Sequence, residues 1–221
     1  RIERVSSVAL SAAHRALLYR PVVRAGARAP VSLSFTDDRG VRTSLAAAMG
    51  GRPTVLVIAD YGCRYLCGPG MTLTASALDG AGLRPGRDYS LVVVGMNPHD
   101  GPADARAFRA RRLTDPAGRA AVLLTGGRPE AVARALGFRY VYDAAIGQYA
   151  HDTSIYALSG DGVVRAVLPE FALSAARLKA ALEDARRGWT GQLAEQIRKK
   201  FDLDIHPRTI ERAVAVKKTA R

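Results

Sequence analysis

The chain has 221 residues, room for one domain of about 150–200 residues and an appendage. A hydrophobic share of 48% and a charged share of 24% argue against disordered and fibrous classes, and its strand-sized apolar runs fall short of the roughly 18–20 residues of a membrane-crossing helix. The net charge of +13, from 33 Lys+Arg against 20 Asp+Glu, is largely Arg scattered through an Ala-rich chain, and it attracts anionic partners of any kind: nucleic acid, acidic lipid or an acidic protein face.

In chain order, residues 1–30 read as a weakly amphipathic helix, Val5–Leu18, followed by an irregular Pro/Arg/Gly/Ala stretch. From Val31 the pattern becomes period two. Val31–Phe35, the turn Asp37–Gly40 and Val41–Thr43 predict a β-hairpin, and Ser44 caps a short helix over Leu45–Met49. Thr54–Ala59 and Tyr89–Gly95 are continuous apolar runs, as expected of strands buried on both faces. Between and after them fall helices over about Gly70–Leu78, Ala103–Arg112 and Pro129–Leu136, with a short strand at Ala120–Leu124. Ser154–Leu158 and Val163–Leu168, joined by Ser159-Gly-Asp-Gly162, form a second hairpin, and an amphipathic helix over Ser174–Arg187 closes the domain. The order predicts an α/β sandwich around a mixed sheet. Gly188-Trp189 marks a boundary, giving three parts: 1–30, 31–188 and a basic tail, 189–221. The chain starts at Arg1 rather than Met, so a removed signal or anchor upstream is an expectation consistent with the sequence.

The chemistry gathers at the only two cysteines, Cys63 and Cys67, which follow the first buried strand at the edge where α/β sheets place ligand sites. If a helix begins near Cys63, the i, i+4 spacing sets both sulfurs on one helical face, with Cβ atoms about 5–6 Å apart. A helix N-terminus there lowers the pKa of the first thiol. Two thiolates are too few for a closed zinc site, but they suit Cu(I), especially with one imidazole added. Of the four histidines, His14 reads as a surface residue, His99 as a turn residue and His206 as part of a helix start. His151 lies in a loop just before the second hairpin, where it can return beside the cysteines. On the residues alone it is either a third ligand or an ordinary surface histidine.

The stretch from Phe35 to Gly188 resembles the Sco/SenC family, copper-binding thioredoxin-fold proteins that help assemble cytochrome c oxidase. The pieces that carry the resemblance run in order: Phe35-Thr-Asp-Asp-Arg-Gly40; the strand Thr54–Ala59 with Tyr61-Gly-Cys-Arg-Tyr-Leu-Cys67; Gly82-Leu-Arg-Pro-Gly-Arg-Asp88; Leu136-Gly-Phe-Arg-Tyr140 with Tyr149-Ala-His151; and Leu158-Ser-Gly-Asp-Gly162. It implies a thioredoxin-like mixed sheet flanked by helices, with an N-terminal hairpin and a C-terminal helical appendage. It also implies one copper ion, Cu(I) or Cu(II), held by Cys63, Cys67 and His151. The implied role is a metallochaperone rather than an enzyme in the strict sense. It would deliver copper to, or reduce cysteines of, the binuclear copper centre of the oxidase. The implied partner is the copper-bearing subunit or another copper or thiol protein, and the implied compartment is the periplasm or cell envelope. Two positions depart from the family pattern. Arg64 stands where Pro usually follows the first cysteine, setting a cation beside the thiolates, and Gly95-Met-Asn-Pro98 replaces Ser-x-Asp-Pro.

Two other functions follow from the same residues. A Cys63–Cys67 pair cycling between dithiol and disulfide would make a thiol–disulfide oxidoreductase. The tail, Leu193 to Ala213, resembles a helix-turn-helix half of transposase-type DNA-binding segments, with Arg208, Thr209 and Arg212 available to phosphates and base edges. It reads equally as a fused remnant or as a basic docking helix.

Overall fold

The computed structural model describes residues 26–63, 67–144, 147–201, 203, 206–207 and 209–210. The predicted helix Val5–Leu18, with His14, lies outside the described residues.

Every residue of β3 (Thr54–Ala59) and β4 (Ser90–Gly95) is buried, as the two unbroken apolar runs require of strands covered on both faces. They pair in parallel, Thr54 opposite Ser90 through Ala59 opposite Gly95. The alternating side chains then divide between two cores. On one face Val55, Val57 and Ala59 meet Met71, Leu78, Phe108 and Leu182; on the other Leu56 and Ile58 meet Met49, Val132, Leu136 and Tyr156. Each fully buried aliphatic chain contributes about 1.5–3 kcal/mol, so this double-sided layer dominates the stability.

Around that centre the sheet grows to seven strands in the order β2-β1-β5-β4-β3-β8-β9. The hairpin β1 (Ser34–Asp37) and β2 (Arg42–Ser44) lies at one edge, antiparallel to β5 (Val122–Thr125), which runs parallel to β4. Strands β8 (Ser154–Leu158) and β9 (Val164–Pro169) form the other edge. Ser44 caps α1 (Leu45–Met49) as predicted, its hydroxyl accepting from the Ala47 N–H at 3.0 Å. The remaining helices are α2 (Cys67–Gly80), α3 (Pro102–Arg112), the short α4 (Pro116–Arg119) and α5 (Pro129–Leu136), the last ended by Gly137 at φ 70°. The expected mixed α/β fold is what the chain adopts.

Three local expectations differ from the structure. Residues 140–151 hold two strands, β6 (Tyr140–Asp143) and β7 (Gln148–His151), paired with each other outside the main sheet. At four residues each they are too short to announce themselves as a period-two pattern. The closing helix α6 runs unbroken from Ala175 to Phe201 instead of stopping at Arg187. A helical glycine costs only about 1 kcal/mol, and the Arg165 guanidinium packs against Gly188, with Nη2 2.5 Å from where a Cβ would stand. The end of the 1–30 segment is also not loose. Ala29 is buried and donates its N–H to Gly162 at 2.8 Å, and Arg28 pairs with Asp161 at 3.0 Å. No described helix is long and apolar enough to cross a membrane.

Candidate thiol and metal site

β3 delivers the chain into the loop Asp60-Tyr61-Gly62-Cys63, and buried groups hold that loop from below. The Tyr61 ring packs on Phe108 with centroids 5.3 Å apart, and its hydroxyl lies 3.1 Å from the Val93 carbonyl and 3.0 Å from that of Leu124. That ring explains one departure noted in the sequence. A Cβ at Gly95 would lie 2.7 Å from Tyr61 Cε2, so Ser is excluded where Tyr61 occupies the space.

Two carboxylates fix the loop backbone. Gly62 donates its N–H to Asp60 Oδ1 at 3.0 Å, and Tyr61 donates to Asp100 Oδ2 at 3.2 Å. The Asn97 amide in turn donates to Asp100 Oδ1 at 3.2 Å, which is the work done by this second departure from the family pattern. Burial raises the pKa of Asp60 against the Gly62 N–H that lowers it; burial and the Asp60 charge push Asp100 up to about 6. His99 donates its backbone N–H to Asn97 Oδ1 at 3.0 Å, a turn residue as expected.

Among the described residues helix α2 runs from Cys67 to Gly80, and its approach from Cys63 lies outside them. Cys63 sits half-buried in the loop, its N–H donating to the Asp60 carbonyl at 3.2 Å, while Cys67 is buried on the first turn. Residues 64–66, including Arg64, lie outside the described residues. Hydrogen bonding to the Cys63 sulfur, and then burial, hold the Cys67 thiol well above the ordinary range. The run after it, Gly68-Pro-Gly70, is packed by two long side chains. A Cβ at Gly68 would meet the Arg112 guanidinium, and one at Gly70 would meet the Glu170 carboxyl.

His151 reaches these sulfurs from 84 residues away, as the last residue of β7. Its Nδ1 lies 2.6 Å from the Asp152 carbonyl. A carbonyl only accepts, so Nδ1 carries the hydrogen, and it is Nε2 that faces Cys67 Sγ, at 2.9 Å, presenting a lone pair when the ring is neutral. Phe138 stacks on the imidazole with centroids 6.0 Å apart and 23° between planes, and Tyr140 sits directly opposite on β6. Burial disfavours the charged ring, but hydrogen bonds to the Cys63 sulfur and the Asp152 carbonyl outweigh it and leave the pKa raised. The three predicted residues are thus brought together, although His151 arrives on a strand and not in the expected loop.

The donor set is chemically suited to copper: two soft sulfurs and one oriented imidazole lone pair. Among the described residues no three such side chains already stand spaced around a common point as ligands. Cys63, Cys67 and His151 would hold such an ion, which would take the place of the hydrogen bond between Cys67 and His151.

Glu170 escaped the sequence reading. It is 4% exposed and lies near both Cys63 and His151, and burial pushes its carboxyl up to about 7, against the pull of the His151 ring. The crowded Gly-Pro-Gly turn was the only signal of something packed there, and it does not say what. In the tail, Thr209 is helical and exposed, while Arg208 and Arg212 lie outside the described residues.

No protein-family model and no curated protein sequence matches the chain. Solved structures do. The chain is similar to a SCO1/SenC family lipoprotein from Bacillus anthracis, at TM-score 0.60 and 19% identity over 73% of this chain and 97% of that one. It is similar to Arabidopsis thaliana ScoI with copper bound, at TM-score 0.59 and 20% identity over 75% and 99%. Bradyrhizobium japonicum ScoI with copper bound gives TM-score 0.55 and 18% identity over 74% and 99%. The fold is the thioredoxin-like fold of these proteins.

Proposed function

We propose that the chain is a copper-binding metallochaperone, holding one Cu(I) or Cu(II) through Cys63, Cys67 and His151. The observation that carries the reading is the 2.9 Å approach of His151 Nε2 to Cys67 Sγ, made by an imidazole whose other nitrogen is committed to a carbonyl. That arrangement spends a long-range excursion of the chain on presenting a lone pair to a thiol. The fold it shares with the two copper-bearing ScoI structures supports the same reading. By extension, the cargo would pass to the copper-bearing subunit of cytochrome c oxidase or to another copper or thiol protein, in the periplasm or cell envelope. Anaerobic titration with Cu(I), followed by thiolate-to-copper absorption in the ultraviolet, tests it. One equivalent is expected; no stoichiometric uptake overturns it.

A second reading, thiol–disulfide exchange, is favoured by the unequal burial of the pair. Half-buried Cys63 is placed to attack a substrate disulfide, and buried Cys67 to resolve the mixed disulfide. The substrate disulfide gains two electrons and leaves as two thiols, while the Cys63–Cys67 pair becomes a disulfide. Turnover that survives His151→Ala would favour this role over copper binding.

A further inference from the structure

Two residues, Asp152 and Thr153, carry the chain from His151, the last residue of β7, to Ser154, the first of β8. In that short step Asp152 is bonded on three sides. Its N–H donates to the Arg139 carbonyl at 2.9 Å, and its own carbonyl accepts from His151 Nδ1 at 2.6 Å. Its Oδ1 accepts twice from Ser154, from the N–H at 2.8 Å and from the hydroxyl at 2.7 Å. The other carboxylate oxygen, Oδ2, is buried and has no hydrogen-bond partner among the described residues. Burying that oxygen unpaired is unfavourable, so packing alone does not explain an acid at this position.

The bond from the Ser154 N–H to Oδ1 closes a ring that runs through the Asp152 side chain and the peptide joining Asp152 to Thr153. The oxygen of that same peptide is the one that receives His151 Nδ1. Closing the ring therefore fixes the rotation about the Asp152 Cα–C bond that aims this oxygen at the imidazole. The far side of the turn is held by the edge of the main sheet: the Thr153 carbonyl accepts from the Glu170 N–H at 2.8 Å, and Ser154 pairs with Pro169 on β9. Which imidazole nitrogen carries the hydrogen is set by the bond that the other nitrogen makes. The aim of one carbonyl thus decides whether Nε2 turns a lone pair or a hydrogen toward Cys67, 2.9 Å away.

We propose that Asp152 is a positioning residue of the metal site: through its turn with Ser154 the side chain aims the Asp152 carbonyl at His151 Nδ1, so that Nε2 is left bare for the ion. The inference rests on the copper reading of Cys63, Cys67 and His151, and adds to it a side chain that touches no ion. What acts is the acceptor at Oδ1 and its reach, not the charge. Asn keeps an oxygen at the same reach and serves in its place. Ala leaves the Ser154 N–H without its acceptor, and Glu keeps the charge but carries it past the turn.

The test uses the full chain, reduced and anaerobic, as wild type, Asp152→Asn, Asp152→Ala and Asp152→Glu, with thermal melts to show that each folds; Asp152→Glu is read in place of Asp152→Ala if the latter does not. Two quantities are measured: the tautomer of the His151 ring by nitrogen-15 NMR of the metal-free chain, at a pH where the ring is neutral, and Cu(I) affinity against a competing chelator. Wild type and Asp152→Asn are expected to hold the hydrogen on Nδ1 and to bind Cu(I) within about twofold of each other. Asp152→Ala and Asp152→Glu are expected to show a mixture of the two tautomers and to bind Cu(I) about tenfold or more weakly. A tautomer unchanged in Asp152→Ala and Asp152→Glu, or a loss in Asp152→Asn as large as theirs, overturns the proposal. A wild-type chain that takes up no Cu(I) fails the copper reading itself, whereas wild-type uptake with an unmoved tautomer in the variants fails this inference alone.

Discussion

The donors come from two regions built on different principles. The cysteines sit on a strand–loop–helix unit rooted in the doubly buried centre of the sheet, where β3 is buried at every position and Tyr61 and Asp100 fasten the loop from below. His151 comes from the separate β6–β7 pair, in which Val141 (41%) and Tyr142 (54%), on opposite faces of β6, are both exposed. One half of the site is fixed by the core; the other is an arm held by aromatic contacts among Phe138, Tyr140, Tyr142 and Tyr149.

That contrast can be broken most severely at the joint between the halves. Phe138 is buried in the second core and lies under the imidazole, so Phe138→Ala is expected to cost about 3–5 kcal/mol in urea denaturation and to loosen His151 as well. If stability falls but metal uptake is untouched, the arm does not depend on that ring. The next effect in size is electrostatic. Glu170 has its carboxyl pKa at about 7 in the folded chain against an ordinary 4.5, so the folded state holds the proton more tightly than the unfolded state. Stability is then undiminished below about pH 4.5, declines as pH rises to about 7, and levels off above. The total is about 2–3 kcal/mol, and the decline should be missing from Glu170→Gln when the two are compared across pH.

On the core side, Gly95→Ser drives a Cβ into the Tyr61 ring and the Leu124 carbonyl, with an expected cost of about 1–3 kcal/mol by thermal unfolding. Tyr61→Phe loses the buried hydroxyl but leaves the clash, so it should not rescue Gly95→Ser; rescue would mean the ring is not the obstacle. The smallest effect belongs to an exposed residue of the arm. Val141→Ala should change stability by no more than about 0.5 kcal/mol, and a larger loss would show that the arm is packed more firmly than its exposure indicates.

The same division separates what could be read in the sequence from what could not. The buried strands, the Ser44 cap, the helix ended by Gly137 and the second hairpin all follow from local patterns of apolar spacing and turn chemistry, and each is present. The sulfurs were legible for the same reason, since they directly follow β3. Their environment needed more than spacing: the Cys67 thiol is raised by its sulfur neighbour and by burial. On the residues alone His151 was a third ligand or a surface histidine, and only a resemblance chose between them, because no local pattern reveals that β6 and β7 pair. Glu170 was invisible, since its placement depends on β9 ending opposite α2. The unbroken passage of α6 through Gly188 shows the same limit: a glycine that looked like punctuation lies inside the helix, with Arg165 packed on it.

The most direct measurement is anaerobic Cu(I) titration, against a competing chelator, of the wild-type chain beside Cys63→Ser, Cys67→Ser and His151→Ala. One equivalent should bind to the wild type, with affinity lost in either serine variant and reduced by about tenfold or more without the imidazole. Wild-type affinity in the histidine variant would contradict a three-residue site and leave the thiol pair to act alone.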